Sequence, residues 1–161
     1  MKTMLNIKLS EFPFTIKLAF ICFYIFVILG FIFAHLILHF KLEGSFTPQD
    51  FINYYKGNET LLKFQKTPLE LSEVSHFHSF ISPVIAFILA FFFSFSKLSE
   101  NMKIIVILAS FISSLFLVIN PWLLTLGPTF FVYLKYISSI VLVISYLFMG
   151  ACVIYEFLKN R

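Results

Sequence analysis

Charged side chains are scarce in this chain of 161 residues, because Asp, Glu, Lys and Arg together make up only 12% of it. In soluble globular domains these residues account for about a quarter of the chain. Hydrophobic residues make up 60%, and the mean hydropathy is +0.94. This composition excludes an ordinary soluble domain and predicts a protein whose main solvent is lipid. The length suits one compact bundle with short loops, so we predict a single domain over 1–161.

Cysteine and the sequence motifs of most enzyme classes are also scarce or absent. Cys22 and Cys152, the two cysteines, fall in separate apolar runs, which excludes a disulfide framework and a Cys-x-x-Cys metal or haem c signature. The chain contains no Gly-x-Ser-x-Gly, no phosphate-binding glycine loop and no His-Glu-x-x-His. The basic residues form no clustered face, so nucleic acid is not predicted as a partner. The sequence does not predict an autonomous enzyme.

Four apolar stretches dominate what is present. Each contains the roughly 18–20 residues that a helix needs to cross about 30 Å of hydrocarbon. We therefore predict an all-α integral membrane four-helix bundle, joined by an outer loop over 41–67. The predicted helices cover 15–40, 68–96, 103–120 and 129–158.

Basic residues near the predicted helix ends are denser on one side of the membrane than on the other. The denser side carries Lys2, Lys8, Lys17, Lys97, Lys103, Lys159 and Arg161, and the sparser side carries Lys41, Lys56, Lys63, Lys66 and Lys135. Cytoplasmic segments are usually the richer in Lys and Arg. We therefore predict that both termini are cytoplasmic and that the protein is a multi-pass protein of the bacterial inner membrane, in contact with the lipid bilayer.

The outer loop contains the same helix-start pattern twice, at Thr47-Pro48-Gln49-Asp50 and at Thr67-Pro68-Leu69-Glu70. In each, Thr can act as the N-cap, Pro suits the first helical position, and the acidic residue can bond back to the cap. We predict a short helix from Pro48 to about Lys56, stopped by Gly57, lying in the outer membrane interface. The second pattern predicts that the second membrane helix begins at Pro68.

All four histidines fall near the predicted outer face. His35 and His39 close the first membrane helix, and His76 and His78 open the second. Ionisable residues in membrane segments are costly and mark candidate functional sites. Because His35 and His39 are four residues apart, they share a helix face, and one or both can ligate a metal.

His76 and His78 point to nearly opposite sides of the second helix, since two residues correspond to a rotation of about 200°. His78 lies above a ridge of small residues of the kind that packs helices together in lipid. The ridge consists of Ser82, Ala86, Ala90 and Ser94. We therefore predict that His78 faces inward. His76 should face outward, where Glu73 is expected to accept a hydrogen bond from it.

Two further motifs stand out, a Tyr-Tyr-x-Gly-Asn-Glu segment at Tyr54–Glu59 and a Glu-x-x-His-x-His entry to the second helix at Glu73–His78. Through them the chain resembles a largely uncharacterised family of short four-helix bacterial membrane proteins. The resemblance covers about residues 47–93. It implies a four-helix membrane fold, and Glu73, His76 and His78 match the family pattern directly. It implies no particular activity.

The sequence leaves three functions open. A membrane subunit of an electron-transfer system would hold a b-type haem between His35 or His39 and His78 or His76, because two imidazoles on facing helices can ligate its iron. A metal-binding protein would use His35, His39, His78 and Glu73 for a transition metal ion. A non-catalytic interaction or assembly subunit would bind no cofactor and would dock a redox or other membrane-complex partner at the outer face.

Overall fold

The structure, a computed structural model, describes residues 8–42 and 45–159, and within these ranges all regular structure is helical. The α-helices are α1 (Phe14–Lys41), α2 (Pro48–Lys56), α3 (Pro68–Ser94), α4 (Glu100–Leu126) and α5 (Phe131–Lys159). Short 3-10 turns lie at Leu9–Glu11 and Glu59–Leu61. Lys2 and Arg161, which contribute to the predicted orientation, lie outside the described residues.

The predicted four-helix membrane bundle is confirmed. Helices α1, α3, α4 and α5 are each long and apolar enough to cross a bilayer. α1 ends and α3 begins at the same end of the bundle, and His35, His39, His76 and His78 all lie towards it. We call this end the histidine end.

α4 is longer than predicted, because it continues through Pro121 to Leu126 instead of ending at residue 120. A proline inside a helix removes one backbone hydrogen bond and costs about 3 kcal/mol. A tertiary hydrogen bond fixes the helix just after the proline, because Trp122 Nε1 donates to Ser75 Oγ of α3 at 2.9 Å. Within α4, Thr125 Oγ1 donates back to the carbonyl of Pro121 at 2.7 Å.

Helices α3, α4 and α5 form the tightly packed part of the bundle. Ser82, Ala86 and Ala90 of the predicted small-residue ridge are buried, whereas Ser94 at the end of α3 is exposed. Close packing of helices in lipid depends on such small residues. The ridge prediction is therefore confirmed for three of its four positions.

α1 packs mainly against α5 and buries only Phe20, Tyr24 and Val27. The Tyr24 ring lies directly on Gly150, where an added Cβ would come within 2.0 Å of the ring. Its hydroxyl donates to the carbonyl of Leu147 at 2.9 Å. A bulky ring placed on a glycine thus fixes α1 to α5.

Helix α2 caps the histidine end. Both predicted capping boxes are present, with Asp50 and Glu70 bonding back to Thr47 and Thr67. The apolar side of α2 buries Phe51 and Tyr55 against α4 and α5. The short helix over Pro48–Lys56 is therefore confirmed, and its apolar face contacts the bundle rather than lipid.

The opposite end of the bundle is held by two buried charged residues. Lys103 is only 7% exposed. Its Nζ donates to the last carbonyl of α3, at Ser94, and to Glu100 Oε1, both at 2.9 Å. Glu156 of α5 accepts a hydrogen bond from the backbone N–H of Lys97 at 2.7 Å. These bonds satisfy backbone groups of the α3–α4 connection that a helix end leaves without partners.

Candidate functional site

His35 and His39 are exposed and lie against the ring of Phe46. The ring centroids are 4.7 Å apart for His35 and 5.9 Å apart for His39, and both pairs are stacked. The backbone carbonyl of Phe46 accepts a hydrogen bond from the hydroxyl of Tyr136 on α5. The loop before α2 thus links the end of α1 to α5 through Phe46.

His76 and Glu73 are both exposed on α3. The His76 ring meets the ring of Phe80 edge-on, with centroids 5.1 Å apart. Within the described ranges, no hydrogen bond joins Glu73 to His76, so the expected bond between them is absent. Both side chains are available to groups outside the bundle.

His78 is half-buried, which confirms the predicted difference between it and exposed His76. Its Nδ1 lies 3.5 Å from Ser82 Oγ, one turn further along α3. The carbonyl of Ser82 accepts a hydrogen bond from the hydroxyl of Tyr146 on α5. His78 therefore lies on the side of α3 that packs against α5.

The ammonium of Lys135 lies between two aromatic rings of α2. Its Nζ is 5.3 Å from the centroid of Tyr55 and 5.7 Å from that of Phe51. An ammonium within about 6 Å of an aromatic ring is stabilised by the ring's quadrupole. Lys135 thus has a specific role in seating α2 on α5, beyond the membrane-interface role that lysine commonly takes.

A chain of buried hydroxyl groups continues from Ser82 into the bundle. The Tyr146 hydroxyl donates to the carbonyl of Ser82 at 2.6 Å and lies 3.2 Å from Ser114 Oγ. Ser114 Oγ donates to the carbonyl of Ser110 at 2.8 Å. These bonds connect α3, α4 and α5 at the centre of the bundle.

Asn120 is completely buried between α4 and α5. Its Nδ2 donates to Ser138 Oγ at 2.9 Å, whereas its Oδ1 has no hydrogen-bond partner in the part of the chain that the structure describes. Asn120 therefore joins α4 to α5.

The predicted ligands do not come together in groups of three or more. Among residues 8–42 and 45–159, no cluster of His, Cys, Asp and Glu side chains is arranged to hold a metal ion. Part of the reason is that α1, which carries His35 and His39, packs mainly on α5 rather than on α3. Loading of His35, His39, His78, His76 or Glu73 with haem or metal stays a prediction.

A hairpin follows α2 and is tightly fixed. Asn58 and Lys63 exchange two backbone hydrogen bonds, of 2.8 and 3.0 Å, and Asn58 Oδ1 accepts from the backbone N–H of Thr60 at 3.0 Å. Gly57 has φ +81°, and a Cβ there would come within 2.7 Å of the backbone of Gln65. Glycine is therefore needed at this position for both conformation and space.

The tip of this hairpin is apolar and exposed. Leu61, Leu62 and Phe64 are 51%, 85% and 90% exposed. Leu62 also has φ +52°, in the left-handed region that residues with a Cβ rarely adopt. We call these three residues the hairpin tip. Sequence reasoning missed it because the loop is short, and the only sequence indication of a turn is Gly57-Asn58.

A family model described as a transmembrane helical domain, Aq_1264_TM, matches residues 45–161. The matched region begins after α1. It therefore contains Glu73, His76, His78 and the hairpin tip, and it leaves out His35 and His39. No curated protein and no solved structure matches the chain.

Proposed function

Because the chain belongs to the Aq_1264_TM family of transmembrane helical domains, we propose that it is a non-catalytic membrane subunit that docks a protein partner at its histidine end through the hairpin tip. The observation that carries this proposal is the exposure of Leu62 and Phe64, at 85% and 90%. Exposed apolar side chains grouped together are typical of interaction sites.

The rigidity of the hairpin supports a protein as the occupant rather than lipid. The two backbone bonds between Asn58 and Lys63, and the special conformations of Gly57 and Leu62, hold the tip in one shape. A shape fixed in advance lowers the entropy cost of binding to a surface with a matching shape. Lipid is fluid and adapts to any apolar group, so it gains little from a fixed shape. The partner we infer presents an apolar pocket that accepts Leu62 and Phe64.

The test is co-purification of the tagged chain from its native membranes, with partners identified by mass spectrometry after site-specific photo-crosslinking at position 61, which is exposed in the same tip. We expect Leu62→Ser and Phe64→Ser to lower recovery of the crosslinked partner at least tenfold. The matched control is Leu69→Ser, because Leu69 is exposed at the start of α3 but lies outside the tip.

Unchanged partner recovery in both tip variants would contradict the proposal. Crosslinking of position 61 to lipid alone would also contradict it, because the tip would then be a membrane anchor. Thermal unfolding of each variant shows whether the hairpin remains folded.

A second candidate function, electron transfer through a b-type haem, is supported by one feature. Lys41, two residues after His39 in α1, and Glu73, three residues before His76 in α3, line one cavity. The end of α1 and the start of α3 therefore carry their histidines at a similar level of the bundle. Two imidazoles at equal depth can ligate haem iron if the helices carrying them face each other.

The reduced-minus-oxidised optical spectrum of the purified protein tests the second candidate. If haem binds, we expect His78→Ala to abolish the Soret band, and His35→Ala or His39→Ala to weaken it strongly. His76→Ala should change occupancy only a few-fold. Absence of a Soret band in protein expressed with a haem supply would exclude this function, and elemental analysis of the same sample tests the metal alternative.

A further inference from the structure

A cavity of about 150 Å³ opens at the histidine end between the last turn of α1 and the first two turns of α3. Lys41 of α1 lines one side, and Glu70 and Glu73 of α3 line the other. Tyr54, Tyr55 and Lys66 add further polar groups to the lining. A water molecule occupies roughly 30 Å³ in the liquid, so the cavity has room for a group of several non-hydrogen atoms.

Two ammonium groups approach the same aromatic ring in this cavity. The Nζ of Lys66 is 4.7 Å from the centroid of Tyr54, and the Nζ of Lys41 is 5.8 Å from it. Two positive charges brought this close repel each other unless anions lie nearby. Glu70 lies beside Lys66, so Lys41 is the ammonium to which a ligand would bring a negative group.

The two carboxylates of the cavity differ in the hydrogen bonds that they make. Glu70 accepts from Lys66 at 2.5 Å through one oxygen and from the backbone N–H of Thr67 at 2.8 Å through the other. Glu73 is exposed, and within the described ranges it has neither a hydrogen bond nor an ion pair. Lys41 and Glu73 thus offer one positive and one negative group to a ligand.

The surroundings of the cavity point to the bilayer as the source of that ligand. Phe40, next to Lys41, and Phe77, one turn after Glu73, are both exposed. α1 packs mainly on α5, so helix packing does not close the gap towards α3 at this end. A cavity lined by charged side chains at the end of membrane helices can hold a lipid headgroup, and apolar side chains below can contact the acyl chains.

We propose that this cavity binds the headgroup of a phospholipid that carries both a phosphate and a primary ammonium group. The phosphate lies against Lys41 and Lys66, and the ammonium donates hydrogen bonds to Glu73. A quaternary ammonium lacks N–H donors, and a glycerol headgroup lacks the positive charge, so either fits Glu73 less well. The site does not depend on partner docking at the hairpin tip.

The experiment measures which lipids the protein retains. Purified protein is reconstituted in nanodiscs containing equal amounts of phosphatidylethanolamine, phosphatidylcholine and phosphatidylglycerol. It is then re-extracted under mild conditions, and the retained lipids are quantified by mass spectrometry. We expect retention in the order phosphatidylethanolamine, phosphatidylcholine, phosphatidylglycerol, with the first retained about tenfold more than the second.

Two variants separate the two halves of the site. Lys41→Gln should lower retention of all three lipids, because it removes a phosphate contact, while Glu73→Gln should remove the preference for phosphatidylethanolamine. Matched controls are Lys97→Gln, at the opposite end of the bundle, and Glu59→Gln, on the exposed hairpin. Lys41 and Glu73 are both exposed, so these substitutions leave the core intact, and equal melting temperatures in detergent confirm this.

Soluble phosphoethanolamine at millimolar concentration distinguishes a lipid from a free molecule with the same chemistry. If it leaves the retained lipid in place, the lipid is the ligand, since its acyl chains add affinity. Displacement of the lipid would overturn the lipid assignment, because the cavity would then serve a soluble molecule. Equal retention of the three lipids, or identical results for Glu73→Gln and Glu59→Gln, would overturn the proposed site itself.

Discussion

α1 and α5 are nearly equal in length and both strongly apolar, yet they are packed very differently. Within the most apolar 18-residue segment of each helix, 11% of the residues are buried in α1 and 39% are buried in α5. Lipid tails solvate apolar side chains as well as another helix does, so helices associate through small residues and hydrogen bonds. α5 presents buried Ser138, Ser145 and Gly150 to its neighbours, whereas α1 presents mainly bulky side chains. Hydropathy thus predicts which segments span the membrane, and small or polar residues predict which of them form the core.

The family match also separates α1 from the other helices. The matched region, residues 45–161, contains α2 to α5 and leaves α1 outside. The matched region therefore contains the core of α3, α4 and α5, and α1 lies outside it. Changes in that core should destabilise the protein more than changes at the α1–α5 contact, where α1 can move away.

The largest effect is expected from Ala86→Leu. Ala86 is fully buried on the ridge of α3, which packs against both α4 and α5. The larger side chain has no space, and such overpacking typically costs about 1–3 kcal/mol, occasionally more. We expect a value near the top of this range, measured as a fall in the melting temperature of the protein in detergent. Val84→Leu, on the exposed side of α3, is the control. An unchanged melting temperature for Ala86→Leu would mean that the ridge does not form the core.

A smaller and more local effect is expected from Gly150→Ala. The added methyl group would overlap the Tyr24 ring, at 2.0 Å, so α1 must shift away from α5. We expect a loss of about 2 kcal/mol, within the range for overpacking. Faster hydrogen exchange in α1 than in α3 would show that the loss is local.

Gly30→Ala in α1 is the matched control for Gly150→Ala. A Cβ at Gly30 would meet nothing within 4 Å. Alanine is also favoured over glycine in helices by up to about 1 kcal/mol. The control variant should therefore be as stable as the parent or slightly more stable. Equal losses in both variants would mean that the Tyr24–Gly150 contact does not hold α1 in place.

One kind of hydrogen bond occurs in both regions and allows a direct comparison. Tyr146 donates to the carbonyl of Ser82 inside the core, and Tyr24 donates to the carbonyl of Leu147 at the α1 contact. A buried hydrogen bond contributes about 0.5–1.5 kcal/mol. We expect Tyr146→Phe to lower the free energy of unfolding by an amount at the upper end of this range, and Tyr24→Phe by an amount at the lower end. Tyr155→Phe, at an exposed position, should leave the free energy of unfolding unchanged. Equal losses from the first two in thermal unfolding would contradict the difference we infer between the regions.

Much of the fold could be predicted because its signals are local. Thr47 and Thr67 with their acidic partners predicted two helix starts correctly, and the spacing of Ser82, Ala86 and Ala90 predicted the packed face of α3. The end of α4 could not be predicted in this way. Pro121 is a local stop signal, and it is overridden by contacts from residues distant in sequence, such as that of Trp122 with Ser75.

The candidate sites could likewise be predicted only where they depend on local sequence signals. Periodicity correctly separated half-buried His78 from exposed His76 because it depends on one helix alone. The distance between the histidines of α1 and those of α3 depends on which helices pack together. The sequence alone does not predict that α1 packs mainly on α5. The cavity lined by Lys41, Tyr54 and Glu73 depends on that arrangement, so sequence reasoning could not find it.

The smallest expected effect concerns the surface of α2, where charge rather than packing acts. The side-chain hydroxyl and the backbone N–H of Thr47 both donate to Asp50, and these bonds hold the pKa of Asp50 below its ordinary value of 3.8. A lowered pKa means that the bonds stabilise α2 above the unfolded pKa, and that the contribution is lost as pH falls through the folded pKa. Since Asp50 is the only aspartate in the chain, selective carboxyl labelling gives one NMR signal whose titration reports this pKa.

Thr47→Ala should raise the pKa of Asp50, and Thr67→Ala, the equivalent change at α3, should leave this pKa unchanged. A wild-type value of 3.8 or above would contradict the cap geometry. The effect on global stability should be slight, because water and salt screen an exposed carboxylate and the core of α3, α4 and α5 does not depend on it.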